Sequence, residues 1–481
     1  MFPEIAAVSG LALLYLYHVN RGMKSIPDEV LRITPHRWTP EEIKAAYEEA
    51  IRNPIDVRKS LPPKQNRRYI VVGGSGLVGS WMARHLLMRG EDPSAIRILD
   101  LAVPPRDLLD QGVTFVQTNI TDEQATIDAF VQPWPETVAH HPLTVFHNAA
   151  VIRPGERHQA FLPLCRNVNV TGTVHVLHAA KQSGASCFIS TSSGSICIHS
   201  PSFWVAPWHK TPKNFVQVVT ETSPLPQAHA DFFSNYAVTK AEAERIVRAA
   251  DDPTTNFRTG CIRPANGIYG IGDTDGSLTG SYLRNGGSPS WLPNIVHNFV
   301  SAENVSIAHL AYERCLINLS NTSPSPSSQS PLPDIGGQAF LITDPNPPLT
   351  YQDIYLLLHT LSKTPTNFPP APAIPFLLLS YLIEWYALLQ YVYCSWLPRI
   401  TGNLAKLQPG LFGIICVHFV ADDRRARLAP EQGGLGYQPP ITTLYGMCKD
   451  VEAWNGRADA KGVVEEKGVV DGMVVVAREK A

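Results

Sequence analysis

The chain has 481 residues, 44% of them hydrophobic and 17% charged, with 40 basic residues against 42 acidic ones. That balance excludes a disordered chain, a polytopic membrane protein and a protein drawn to nucleic acid by its overall field. Eight scattered cysteines show no CxxC pair and no metal-ligand spacing, so they read as buried apolar residues in a reducing compartment, and no metal site is expected.

The first element is the apolar run Ile5–Val19, with Arg21 and Lys24 after it. A helix of that length reaches about 22 Å, short of the ~30 Å hydrocarbon core of a bilayer. Glu4 is the only early charge and no small-residue cleavage site follows, which argues against a secretory signal. The leading reading is an uncleaved membrane anchor over 1–24 with the rest of the chain on the cytosolic side; a cleaved signal and a helix packed on the protein are the alternatives. Residues 25–67 read as a spacer with one helix to about Arg52, started by Thr39 as N-cap, Pro40 in the first turn, and Glu41 and Glu42.

Strands follow at Tyr69–Val72, Ile96–Asp100, Val113–Val116, Leu143–Phe146 and Cys187–Ser190, most of them separated by helical segments. That alternation predicts a parallel, doubly wound sheet. A Ser/Pro-rich insertion over 319–335 reads as a surface loop. The second apolar run, Ile374–Leu397, is rich in Trp and Tyr but carries Glu384 in its middle, one helical turn from Ser380. It is read as a membrane-associated segment lying in the interface or re-entrant, with a spanning helix and an ordinary substrate-domain helix as alternatives. The charged, Gly/Val-rich tail 456–481 is expected to be disordered.

Three constellations carry chemistry. Gly73, Gly76 and Gly79 follow the first strand and open a helix, a spacing that permits a tight turn, close approach of backbone to a pyrophosphate and close helix–strand packing. Asp100 ends the second strand, where an acid accepts ribose hydroxyls and repels a 2′-phosphate, favouring NAD over NADP. Tyr236 and Lys240 lie one turn apart on a helix, so a cation stands near a phenol and would favour its ionised form. The same spacing also suits an amphipathic helix with a surface lysine. Ile189–Gly194 closes the fifth strand with several hydroxyls, at the edge where open α/β sheets bind ligands; a plain polar turn is the alternative.

In this order the motifs resemble the extended short-chain dehydrogenase/reductase superfamily and, within it, the 3β-hydroxysteroid dehydrogenase/isomerase family. Asn119, with Ile120 beside it, stands where the family usually has an acid near the adenine. His147-Asn148-Ala149-Ala150 is similar to the HxAA turn along the cofactor, and Asn169–Thr173 to the NVxGT motif. Thr191-Ser192-Ser193 matches TSS, which makes Ser193 the catalytic serine; Tyr236 and Lys240 match YxxxK. Arg263-Pro264 opens the RPxxxYGxGD segment that ends at Asp273, and Leu435-Gly436-Tyr437 with Pro439 resembles the closing LGYxP turn. The resemblance covers residues 68–455 and is nearest to fungal members, which include sterol-4α-carboxylate 3-dehydrogenases.

It implies a Rossmann-type doubly wound parallel sheet over 68–270 and a smaller C-terminal substrate lobe over 271–455, interleaved with core strands. It implies Ser193, Tyr236 and Lys240 as catalytic residues. For the cofactor it implies Gly73, Gly76, Gly79, Asp100, Asn119, Ile120, Ala149, Ala150, Asn169, Lys240 and Pro264. The implied activity is NAD-dependent oxidation of a 3β-hydroxyl on a sterol-like, lipophilic substrate, or the reverse reduction. The implied setting is the endoplasmic reticulum membrane, with the catalytic domain facing the cytosol, no nucleic acid partner, and a homodimer as in many relatives. Rival readings are a sugar-nucleotide epimerase or dehydratase, an NADP-dependent reductase of flavonoid-like ketones, and a non-catalytic NAD-binding protein.

Overall fold

The computed structural model describes residues 2–272, 278–321 and 332–470. Its centre is a seven-stranded parallel sheet: β1 Arg68–Val72, β2 Ile96–Asp100, β3 Thr114–Gln117, β4 Leu143–His147, β5 Ala185–Thr191, β6 Arg258–Pro264 and β7 Gln338–Ile342. The strand order is β7-β6-β5-β4-β1-β2-β3, so the direction of winding reverses between β1 and β4. The period-2 alternation of a strand explains the layers. Tyr69, Val71, Ile98, Phe146, Ile189 and Ile262 face helices Leu77–Met88 and Ala302–Asn321. Ile70, Val72, Leu99, Val145 and Phe188 face helices Glu123–Val131, Thr173–Gln182 and Asn235–Ala249. Both faces are covered, as a parallel sheet requires.

The five strands expected from sequence form within two residues of their expected ends. β6 and β7 were not foreseen as strands: β6 carries Arg258, Thr259 and Arg263, all buried, and such a polar run does not read as core. The second lobe holds a small sheet of Val216–Val219, His418–Ala421, Val296–His297 and Leu349–Thr350. Its core gathers helices Tyr351–Leu361, Ala373–Leu388 and the start of Thr443–Val470.

Two segments differ from expectation. Helix Pro40–Arg52 forms as expected, with the Thr39/Glu42 capping box, but its segment is no free spacer. Ile43 and Ala50 are buried in the lobe core, because the helix presents an apolar stripe to helices Tyr351–Leu361 and Thr443–Val470. The tail expected to be disordered from 456 continues as helix to Val470. Residues 471–481, Asp273 and residues 322–331 of the insertion lie outside the described residues.

Candidate active site

The C-terminal ends of β1, β2, β4, β5 and β6 form one edge, and the predicted residues collect there. Gly73 leaves β1 with φ +78°, and a Cβ on it would stand 2.5 Å from the Ala149 nitrogen, so the turn must pass directly against the HNAA segment. A Cβ on Gly79 would stand 2.2 Å from the Gly73 carbonyl oxygen. At Gly76 it would meet only that oxygen, at 3.4 Å, so the space over the turn is open. Gly76 precedes helix Leu77–Met88, which has no side-chain cap, and its first N–H groups are left for an anion. Asp100 accepts the backbone N–H groups of Ser75 at 3.0 Å and Ala102 at 3.1 Å, which fixes its carboxylate beside the glycine turn. These features fit the diphosphate and ribose of a dinucleotide.

The other predicted cofactor residues divide. Ala149 and Ala150 line the switch point between β1 and β4, and Pro264 ends β6 at the same edge. Ile120 is buried against Gly172, where a Cβ would be 2.7 Å from its side chain. Asn119 is exposed, and its Oδ1 accepts from the Thr121 N–H (3.1 Å) and hydroxyl (2.9 Å), so its amide oxygen serves its own turn. Asn169 sits in a π-helical turn, Asn167–Gly172. Its Oδ1 accepts the Val151 N–H (2.8 Å), and its Nδ2 donates to the Val151 carbonyl and the Thr239 hydroxyl (both 3.1 Å). It ties the loop after β4 to the catalytic helix rather than pointing at open space.

Helix Asn235–Ala249, capped by Ser234, carries Tyr236 and Lys240 on its buried face. Burial pushes the Tyr236 phenol up to about 12, opposed by a hydrogen bond with Ser193. Burial likewise pulls the Lys240 ammonium down to about 8, with Cys261 and Glu244 working against it. Lys240 Nζ donates to the Thr191 carbonyl at 2.7 Å. The side chain acting on the phenol is therefore Ser193; the lysine, expected to lower the phenol, is engaged at the strand end. Ser193 also caps the short turn Gly194–Cys197, with its Oγ 2.7 Å from the Ser195 hydroxyl. His147, behind the lysine, is held down to about 3 by burial and by the Lys240 charge, so it stays neutral beside the cation.

Below these residues lies an ion pair that the motifs did not announce. Glu244 follows Lys240 by one turn on the same face and accepts from the Ser192 hydroxyl (2.6 Å) and from Arg263 Nε (2.8 Å) and Nη2 (2.5 Å). Both side chains are 2% exposed. The i,i+4 spacing from Lys240 was a signal for Glu244; nothing local pairs it with Arg263, which stands on β6.

Comparison with known proteins is consistent with this geometry. The model of the 3-beta hydroxysteroid dehydrogenase/isomerase family matches residues 70–367. The chain belongs to this family. It is thereby an oxidoreductase of the kind acting on CH–OH groups. Among its relatives, the 3beta-hydroxysteroid-dehydrogenase/decarboxylase isoform 2 of Arabidopsis thaliana is 26% identical over 80% of this chain, which spans 62% of that protein's length. The decarboxylating sterol-4-alpha-carboxylate 3-dehydrogenase of Saccharomyces cerevisiae is 24% identical, over 80% of this chain and 97% of the yeast protein. Among solved structures, MoeE5 in complex with UDP-glucose and NAD superimposes with a TM-score of 0.53 at 16% identity, covering 81% of this chain and 99% of that one. At that identity the likeness shows the fold, which this family member shares with sugar-nucleotide enzymes.

Proposed function

We propose that this chain oxidises the 3β-hydroxyl of a sterol or related lipophilic polycyclic alcohol to a ketone, with NAD in preference to NADP as its cofactor. The observation that carries the reading is the convergence of Tyr236, Ser193 and Lys240 beside the turn of Gly73, Gly76 and Gly79. The glycine turn and the helix behind it would hold the diphosphate, and Asp100 the adenosine ribose. NAD, when bound, supplies the hydride acceptor.

The protein's own groups handle the proton. Tyr236 Oη takes it from the substrate hydroxyl, and the Ser193 hydroxyl donates to the same oxygen as it becomes a carbonyl. A phenol near 12 is protonated at neutral pH, so it must be lowered when the site fills; Lys240, one turn along, is the cation placed to do it. A substrate with a carboxylate beta to the new ketone would lose it as carbon dioxide by ordinary β-keto acid chemistry. The same reading puts the reaction at the endoplasmic reticulum membrane, with the catalytic edge on the cytosolic side; the apolar helix Ala373–Tyr393 and the sterol-named relatives support it.

The test is NADH formation by the purified protein with NAD⁺ and a panel of 3β-hydroxysterols, with and without a 4α-carboxylate, alongside UDP-sugars. Turnover of a sterol supports the reading. Conversion of a UDP-sugar with no sterol turnover overturns it in favour of an epimerase. Tyr236→Phe should keep NAD binding and lose activity by about 10²–10⁴-fold, the usual size of general-base effects. Retention of more than about a tenth of wild-type activity would remove Tyr236 from the role.

A further inference from the structure

We propose that His309, on helix Ala302–Asn321, is a positioning residue for the reaction: it fixes the hydroxyl of Thr191 and, through it, the peptide that holds Lys240 and leads into Ser193. The proposal rests on the role given above to Lys240. His309 belongs to none of the motifs read from the sequence.

Thr191 ends β5 at a point where β4 has already turned away. His147, the last residue of β4, pairs with Ser190, and the N–H groups of Asn148 and Ala149 both go to the Val72 carbonyl on β1. The Ser192 N–H donates to the Ile262 carbonyl on β6 at 2.7 Å. A trans peptide sets its C=O opposite the following N–H, so the Thr191 carbonyl points to the β4 side, past the end of that strand. Lys240 Nζ takes the place of a ladder donor there, at 2.7 Å. The Thr191 side chain, two residues beyond Ile189, shares the face that packs on helix Ala302–Asn321. On that face His309 Nε2 stands 2.9 Å from Thr191 Oγ1. Thr191 thus joins a helix on one face of the sheet to a lysine that arrives from the other.

The direction of each bond follows from chemistry. His309 is fully buried, its ring edge-on to Phe146 with centroids 6.2 Å apart. Its Nδ1 lies 2.8 Å from the Val305 carbonyl oxygen, one turn back on its own helix. A carbonyl can only accept, so Nδ1 carries the ring proton and Nε2 is a bare acceptor. Burial holds the imidazole down to about 4, which keeps this neutral form at neutral pH. The Thr191 hydroxyl therefore donates to Nε2. It also meets Asn148 Oδ1, a second acceptor, in the turn that runs against Gly73. One proton cannot satisfy both, so Asn148 draws Thr191 toward the cofactor turn and His309 draws it back. Without the imidazole, Asn148 is the sole partner and the end of β5 tilts. That tilt carries the Thr191 carbonyl and Ser193 together, and a misplacement of about 1 Å at a reacting centre costs roughly 10²-fold in rate. His85 offers a contrast: it is equally buried and its Nδ1 lies 2.9 Å from the Ser306 hydroxyl, but that hydroxyl stands on a helix and holds no strand end.

The test reads two quantities on the full chain: kcat and KM for a 3β-hydroxysterol per folded molecule, and the ionisation midpoint of Lys240 from its ε-carbon NMR resonance, assigned with Lys240→Met. His309→Leu should lower kcat by about tenfold or more, with KM within about twofold. It should also move the Lys240 midpoint, about 8 in the wild type, lower by about 0.5 or more, since the ammonium loses a squarely placed acceptor. The other groups bearing on Lys240 are Glu244 on its own helix, Cys261 on β6 and His147 on β4, and the substitution changes none of them. His309→Gln keeps an acceptor within reach of Thr191 and should recover most of the loss. Thr191→Val should reproduce His309→Leu, and the double variant should be no worse than the worse single one, because both remove one interaction. His85→Leu should lower stability and leave the Lys240 midpoint in place. Wild-type kcat with an unmoved midpoint in His309→Leu overturns the proposal, as does full additivity with Thr191→Val. Should His309→Leu fail to fold, Thr191→Val carries the same two outcomes. A wild type that turns over no sterol sinks the catalytic reading, and the midpoint alone then decides whether His309 positions Lys240.

Discussion

Two buried carboxylate–guanidinium pairs sit at opposite edges of the same sheet. At the C-terminal edge, Glu244 and Arg263 lie under Ser192 and one turn below Lys240. At the N-terminal edge, Glu313 holds Arg89 at 2.8 Å and accepts from Thr144, while Arg89 also reaches Glu91 and the Tyr69 hydroxyl. Both pairs are nearly solvent-free, so each needs its partner to offset the desolvation of an ion. At Glu244 burial works to raise the carboxyl, and the bonds and charge of Arg263 more than reverse it. The difference is address. One pair has a titrating lysine within electrostatic reach; the other has only structure around it. The fold predicts that loss of Glu244 is felt at Lys240 and loss of Glu313 is not.

The largest expected effect separates the two directly. Glu244→Gln should cost about 3–5 kcal/mol of stability, because it leaves the buried Arg263 without a carboxylate, and Glu313→Gln should cost less, because Glu91 still pairs Arg89. Denaturant unfolding measures that. Activity per folded molecule should then diverge. Glu313→Gln should leave the pH profile of kcat/KM in place, whereas Glu244→Gln removes an anion that supports the Lys240 charge and should move the lysine below about 8. Equal shifts in both variants would erase the distinction between the edges.

Next in size is the pH dependence of Lys240 itself. Its folded-state value of about 8 lies below the ordinary 10.5, so above pH 8 the unfolded chain holds a proton the folded one has released. Stability should therefore rise from pH 8 to about 10, by up to ~3 kcal/mol, while kcat/KM falls through the same window as the ammonium is lost. Lys240→Met should show neither trend. A wild-type stability that falls from pH 8 to 10 relative to this variant would contradict the burial of a charged lysine.

The smallest effect belongs to the partly exposed rim of the catalytic edge. Asp100→Asn keeps an acceptor for one of the two N–H groups of Ser75 and Ala102 and removes the charge that would repel a 2′-phosphate. A like-charge contact there is worth about 1 kcal/mol, so the NADP-to-NAD ratio of dissociation constants should fall by roughly fivefold to tenfold. Fluorescence titration with both cofactors reads it.

Much of the catalytic edge was legible because its signals are local. Gly73, Gly76 and Gly79 answer to one turn, Asp100 to the next strand end, and Tyr236 with Lys240 to one helix face. Five strands were visible as short apolar runs. β6 was not, since Arg258, Thr259 and Arg263 look like surface residues until partners from other elements neutralise them. Asn119 was readable as a departure from the family pattern, but its use by Thr121 follows from a backbone turn. The two apolar runs were visible as composition. That Asn20 of the first caps the helix of the second depends on which distant segments meet.

The amino-acid sequence by itself determined what short-range physics can determine: the glycine turn against a helix N-terminus, a phenol and an amine one helical turn apart, a capped helix at Thr39, and two stretches too apolar to face water. Tertiary structure alone decided the pairings. Arg263 finds Glu244 across a strand, Glu384 finds Arg157 far along the chain, and the segment 25–67 becomes part of a core. The physical reason is that a buried charge or an apolar stripe states only that it needs a partner, and the partner's identity is set by long-range packing that no local spacing encodes.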